Sequence, residues 1–479
     1  MRTALILMFV LATAIPVAHA QTDQTVDSSQ AVRTYSLMRE DEDWSFLKDP
    51  SLRQDFWDPI KYIRLGPQGW FLTIGGEARE AFEKVANDNW GAQPYTNTFF
   101  LERYMLHTDW RFGKHFRAFV QLKSGLESFR RGGYRPIDEK KLDFEAAFVE
   151  IGAAEGDHWV VLQAGRQELN YGSGRLVSVR EGPNVRQSFD GARLKMKAGA
   201  WRVDAFAARP DLDKPGYFDN VPDHRTSFRG VYATRPWRSG VSFDSYYLGL
   251  DRKSFTYNRG TAQETRHNLG ARLWRPPATK ESEWDFDYEA VWQFGSFGAG
   301  GIRAWTVAPD TGYSFLGTPL QPRVSVKADI SSGDDPRSGS LGTFSPIFPI
   351  GNYFGVLADT GPGPVNFIDV QVAATSFAIP SGAGQYWYER LRAHSTEFEI
   401  PQERLDESVI AFGNRVRAHR SVADRHHGAA IVRKRAEPLS LSVRRRGACQ
   451  NDRRGVRTWR SGRPRRGRDG ASRRLANAD

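Results

Sequence analysis

The chain has 479 residues, 13% of them aromatic, with one cysteine and a formal charge of +11. Cys449 alone excludes an internal disulfide and no paired Cys/His spacing offers a zinc site, so an exported chain of this length needs a large core or a closed sheet. The charge is local: from Arg415 to the end nineteen Arg and one Lys stand against five acids, a net of +15, leaving −4 on the other 414 residues and no basic body to hold nucleic acid.

In chain order the first element is an export signal over residues 1–20. Arg2, an apolar run from Ala4 to Val17 and the small-x-small end Ala18-His19-Ala20 put the mature start at Gln21. That run is shorter than the ~20 residues a spanning helix needs, and no later stretch approaches that length, so any membrane role must use strands or surface attachment.

From residue 70 the pattern has period two. Residues 72–83 set Leu72, Ile74 and Ala78 against Thr73, Glu77 and Arg79. Residues 100–111 and 116–124 meet at Phe112-Gly-Lys-His115, the second setting Ala118, Val120 and Leu122 against Arg117, Gln121 and Lys123. A hairpin is predicted through Ala198-Gly-Ala200, with Ala192, Leu194 and Met196 opposing Arg193, Lys195 and Lys197, and Trp201, Val203 and Ala205 opposing Arg202 and Asp204. Residues 323–330 set Val324, Val326, Ala328 and Ile330 against Arg323, Ser325, Lys327 and Asp329. In WDFDYEAVWQFG, residues 284–295, Trp284, Phe286, Tyr288, Ala290, Trp292 and Phe294 oppose Asp285, Asp287, Glu289 and Gln293. With weaker segments near 142–151, 159–168, 228–234, 241–250, 265–274, 302–308 and 365–377, about fourteen strands are predicted.

Such a meander is either a soluble sandwich, with the aromatic faces as core, or an outer-membrane barrel, with those faces in lipid and the acids inside. The polar faces repeatedly carry Arg and Lys beside Glu or Asp. Trp110, Phe112, Trp201, Trp237 and Trp284 lie near strand ends, where interfacial girdles sit. Both observations favour the barrel.

Four segments then carry a resemblance: DEDWSFLKDPSLRQDFWDPIKYIRLG (Asp41–Gly66), FLTIGGEARE (Phe71–Glu80), GRQELNYGSGRLVSVREGPNVRQSFDGARL (Gly165–Leu194) and GTFSPIFPIGNYFGVLADTGPGPVNFID (Gly342–Asp369). From Trp44 to about Asp369 the chain resembles the alginate-export family of outer-membrane barrels. The resemblance implies an all-β, antiparallel, monomeric transmembrane barrel of about eighteen strands, at residues 70–379, preceded by a periplasmic-side segment over 21–69. It also implies a charged lumen passing an anionic polysaccharide such as alginate. Partners would be that polymer, or small organic anions if the pore is narrower, and outer-membrane lipid, with no nucleic acid and no cofactor.

Fixed positive charge would replace the water a polyuronate loses in a pore, and nearby acids would keep each site from holding too tightly. The anion contacts expected are Arg79, Arg103, Lys123, Arg166, Arg193, Lys195, Arg272, Arg323 and Lys327. Glu77, Glu168, Asp190 and Asp329 are the expected counter-charges. Cross-strand pairing is the alternative for any one of them.

The segment Tyr171–Asp190, with Arg175, Arg180 and Arg186, is a constriction by the resemblance or else an external loop. Ser331–Val365 is long enough for a plug, lid or gate. Asp329, Asp334 and Asp335 lack the spacing of a calcium loop, so no metal is expected. No Gly-x-Ser-x-Gly elbow, His-Glu-x-x-His site or phosphate loop appears, so no enzyme is expected.

Beyond Ile379 alternation fails. Residues 380–479 are an Arg-rich tail in which only Trp459 is aromatic after position 414. Its composition predicts disorder or a reading-frame shift between Val370 and Gly413, which would leave a truncated, non-functional member of the family.

Overall fold

The structure, a computed structural model, describes residues 35–66, 69–88, 93–277, 283–318, 321–335, 337–350, 367–378, 387–399, 411–419 and 429–432. The export signal, Cys449 and the part of the Arg-rich tail after residue 432 lie outside them.

Among the described residues twenty strands form one sheet. Four of these are short: Ile63–Arg64, Val221–Pro222, Ser340–Leu341 and Ala429–Val432. The remaining sixteen run β1 (Phe71–Asp88), β2 (Gln93–Phe112), β3 (Phe116–Ser128), β4 (Lys140–Glu155), β5 (His158–Gln167), β6 (Phe189–Ala198), β7 (Trp201–Leu212) and β8 (Thr226–Pro236). They continue with β9 (Ser242–Tyr257), β10 (Gly260–Arg275), β11 (Trp284–Phe297), β12 (Gly300–Ser314), β13 (Arg323–Ser331), β14 (Phe367–Ala378), β15 (Trp387–Glu399) and β16 (Ala411–His419). Each pairs antiparallel with its neighbours in sequence. Among the described residues β16 does not pair with β1. Ala429–Val432 lies parallel to Ala81–Lys84 on the β1 edge instead.

The fourteen strands expected from alternation are β1 to β14. β15 and β16 follow Ile379, where periodicity is lost, and carry the same meander onward.

From β2 to β8 the connections at one end are tight, at 113–115, 156–157 and 199–200, and those at the other long, at 129–139, 168–188 and 213–225. Further on the pattern breaks, with two-residue turns at 258–259 and 298–299 on the long-loop end and longer connections at 276–283 and 315–322 on the other. Gly199 takes φ +58 in the β6–β7 turn, which a residue with a Cβ adopts only at a cost. The β2 to β8 part thus has the asymmetry of outer-membrane barrels, whose short side is periplasmic. β2 has 20 residues, about twice the ~9–11 that cross a bilayer.

The side chains settle the choice between sandwich and barrel. On β11, Trp284 is 54% and Trp292 47% exposed, whereas Asp285 is 3%, Glu289 5% and Gln293 0% exposed. The aromatic face therefore looks outward and the acidic face is enclosed. Leu106, Val149, Leu162, Val231, Leu269, Trp305, Val307 and Val326 extend the exposed apolar face around the sheet. A protein surrounded by water rarely presents so large an apolar surface, and one surrounded by lipid must. Among the described residues no helix is long and apolar enough to span a membrane.

The enclosed face is not polar throughout. On β7 to β9 it carries Phe206, Phe228, Tyr232, Tyr246 and Leu248, which pack with Tyr171, Leu176, Val177, Phe344 and Phe348. These partners belong to residues 168–188 and 342–350, which fold inward and bond to each other: Phe348 donates to the Leu176 carbonyl at 2.9 Å and Ser178 to the Phe348 carbonyl at 2.9 Å. Apolar residues thus face inward where something apolar enters. Tyr246 also covers Gly270 on β10, where a Cβ would lie 2.1 Å from the ring. Gly270→Val should cost about 1–3 kcal/mol through overpacking, read as a lower urea midpoint for unfolding in detergent.

Candidate functional site

Alternation puts an ionic lattice on the enclosed face. On β1 and β2, Arg103 Nε donates to Glu77 at 2.9 Å and its Nη2 contacts Glu181. Arg79 donates to the carbonyls of Glu181 at 3.0 Å and Pro183 at 3.1 Å. On β3, Lys123 lies 3.0 Å from both Glu145 and Asp213. Glu145 reaches inward because a bulge in the β3–β4 pairing adds it as an extra residue. On β6, Arg193 pairs with Asp204 of β7, and Lys195 with Glu150 of β4.

Across the sheet, Arg272 of β10 donates to Asp287 at 2.7 Å and Asp244 at 3.1 Å. Arg323 of β13 donates to Asp285 at 2.8 Å, and Lys327 lies 2.7 Å from Asp329. Arg166 and Asp190 pair with each other at 2.9 Å, and Arg166 lies 3.1 Å from Asp211. In the β5 and β6 alternation these two fall in step with Leu162, Ala164, Ala192 and Leu194, the outward set, at the long-loop end of their strands.

The segment Tyr171–Asp190 is inward-folded rather than external, and its three arginines differ. Arg175 is buried, 3.2 Å from Glu289, 3.7 Å from Asp287 and 3.6 Å from Asp329. Arg186, 1% exposed, donates to Glu168 at 3.1 Å, Glu181 at 2.6 Å and the Leu37 carbonyl at 2.8 Å. Burial pushes the Glu181 carboxyl up, but the Arg186 and Arg103 guanidiniums outweigh it and hold that carboxyl below the usual range. Burial dominates at Glu168, raising its carboxyl well above that range despite Arg186.

Arg180 stands apart. Its backbone is left-handed, at φ +55, and its guanidinium forms no ion pair with a described residue. Burial draws its pKa down, with Asp213 opposing and Arg252 adding to the effect. It is the cation of this segment best placed to take an external anion, because binding need not first break a pair.

The N-terminal segment also enters the enclosed space. Trp44, Leu47, Tyr62 and Phe71 form its anchor. Arg39 bonds Glu42 at 2.9 Å and Glu77 at 3.1 Å, and Arg117 donates to the Glu40 carbonyl at 2.7 Å. Sequence reasoning missed this role because residues 39–52 form short 3-10 turns with no long period. It also missed Arg266, buried with Glu264 at 2.6 Å, although the β10 alternation held the signal. Among the described residues no group of His, Cys, Asp and Glu is arranged to hold a metal.

Three comparisons place the chain among known proteins. No curated protein matches it. Solved structures that resemble it include OccK2 (OpdF) of Pseudomonas aeruginosa, 10% identical with a TM-score of 0.48 over 74% of this chain and 87% of that one. A second is OccK2 (OpdF) in complex with glucuronate, 11% identical with a TM-score of 0.43 over 72% of this chain and 91% of that one. A third is OpdK of the same organism with vanillate, 10% identical with a TM-score of 0.36 over 68% and 92%. The family model for alginate export matches residues 71–389, from the first residue of β1 into β15 and more than half of the chain. With that match joined to an apolar exterior and an ionic interior, the chain belongs to the alginate export family and is a β-barrel channel of the outer membrane.

Proposed function

We propose that this channel carries a polyuronate, an anionic polysaccharide such as alginate, as a single barrel. The observation that carries the reading is the set of inward cations on β1, β2, β3, β6, β10 and β13, each beside a carboxylate, with Arg180 on the inward segment in no ion pair with a described residue. A sugar carboxylate moving along such a wall exchanges one guanidinium or ammonium for the next. The neighbouring acids lower the cost of letting go, which conduction requires as much as entry. Arg103, Arg193, Arg272 and Arg323 suit this because a planar fork meets a carboxylate with two hydrogen bonds.

The test is reconstitution of the full chain in planar bilayers, with polygalacturonate as the probe. The expected result is anion-selective current blocked by the polymer. Arg180→Ala should raise the blocking midpoint about fivefold, the value of one ~1 kcal/mol ion pair, while leaving stability unchanged because no partner is orphaned. Cation selectivity without block would overturn the reading.

A narrower pore for small organic anions is the second reading. It is favoured by how much of the enclosed space residues 168–188 and 342–350 fill. Block by monomeric galacturonate at the same carboxylate concentration as the polymer would decide for it.

A further inference from the structure

The N-terminal segment occupies cations that the channel would otherwise offer to its cargo. The Leu37 carbonyl accepts from Arg186 at 2.8 Å, the Glu40 carbonyl from Arg117 at 2.7 Å and the Glu42 carbonyl from Arg111 at 2.8 Å. Arg193 Nη1 lies 3.8 Å from the Glu40 carboxylate. The run Glu40-Asp41-Glu42-Asp43 is as dense in carboxylates as a polyuronate. It enters from the short-turn side, ahead of β1, and the family match begins only at residue 71.

We propose that residues 37–43 are an internal stopper that competes with the anionic cargo for Arg111, Arg117, Arg186 and Arg193. The proposal rests on the polyanion-channel reading. Two features make the stopper releasable. Its base is fastened separately, through the Trp44, Leu47, Tyr62 and Phe71 cluster, so the acidic turn has a fixed pivot. Its grip also contains a fault, because both Glu40 carboxylate oxygens are buried and accept no hydrogen bond.

The cations facing Glu40 are Arg117, Arg193 and Lys195, each already serving another acid. The acids and phenol nearest it are Asp41 on its own turn, Asp204, Glu168 and Tyr171. Burial, then Asp41, push the Glu40 carboxyl up from 4.5 to about 7 against the pull of those cations. The docked turn therefore holds a proton that the released turn gives up. Docking is at full strength below pH 4.5, weakens as pH rises to about 7 and is level above it.

Two variants with opposite expected effects test this in the bilayer assay. Arg39 belongs to the stopper and bonds Glu42 and Glu77, so Arg39→Glu sets three carboxylates together and should expel the turn. If the pathway is free in only about one molecule in ten, its release should raise the current and lower the polygalacturonate midpoint about tenfold. Glu40→Gln should keep the turn docked and remove most of the rise in current expected of the wild type between pH ~4.5 and ~7, Asp41, also raised by burial, supplying the remainder. Retention of heat-modifiable mobility on gels shows that each variant is folded. Unchanged current and midpoint in folded Arg39→Glu, with the wild type still anion-selective and blocked, would overturn the stopper and leave the channel standing. Loss of selectivity and block in the wild type would overturn the channel reading itself.

Discussion

Arg186→Ala should destabilise the folded barrel by about 3–5 kcal/mol, the usual result of breaking a buried ion pair by removing one partner. The guanidinium holds together three parts of the chain that are remote in sequence. It donates to Glu168 at the start of the inward segment, to Glu181 within it and to the Leu37 carbonyl in the N-terminal segment. Without it Glu168 and Glu181 remain enclosed beside Glu77 and Glu145, with Arg103 and Lys123 left to compensate. Urea unfolding in detergent, followed by heat-modifiable gel mobility, should show a lower midpoint with an unchanged slope. Glu168→Gln combined with Arg186→Met should recover much of the loss, because it removes a charge from each side of the pair. A single variant as stable as the parent would mean that water already reaches the lattice.

Leu269→Arg should cost about 2–4 kcal/mol when the chain is folded in bilayers and much less in a position near the strand end, because the penalty for charge on the lipid face depends on depth. Leu269 sits midway along β10, 57% exposed, beside Trp292 of β11 in the outward apolar band. Thr261, near the long-loop end of the same strand and on the same outward parity, is the comparison, with an expected loss of about 0–1 kcal/mol for Thr261→Arg. Equal costs at the two positions would mean that β10 does not cross hydrocarbon.

Much of this architecture could be read before any coordinates. The alternation of residues 190–197 and 323–330 named the inward charges Arg193, Lys195, Arg323 and Lys327 directly, and that of 284–295 named Asp285 and Glu289, because a two-residue period on a half-apolar strand permits one register only. What was not legible has physical reasons. Glu145 turns inward through a bulge, an event that interrupts the period and leaves no mark in residue type. Phe206, Phe228 and Tyr246 look like lipid-facing residues until the inward segments that cover them are known. Arg166 and Asp190 are expected among the lumen charges because they lie in the Gly165–Leu194 segment that carries the family resemblance, while their place in the alternation puts them in step with outward neighbours. The β15 run YERLRAHSTEFE has charges at both odd and even positions, Glu389, Glu397 and Glu399 against Arg390 and Arg392, so a period-two reading does not find it.

The inward segments also bear on how such a sheet keeps its shape. Arg79 on β1 bonds the Pro183 carbonyl and Gln293 on β11 bonds the Ser345 carbonyl, so hairpins far apart in order hold two inward segments that are themselves bonded to each other. The wall is thus braced from within as well as by its own ladder, and its curvature does not rest on strand pairing alone.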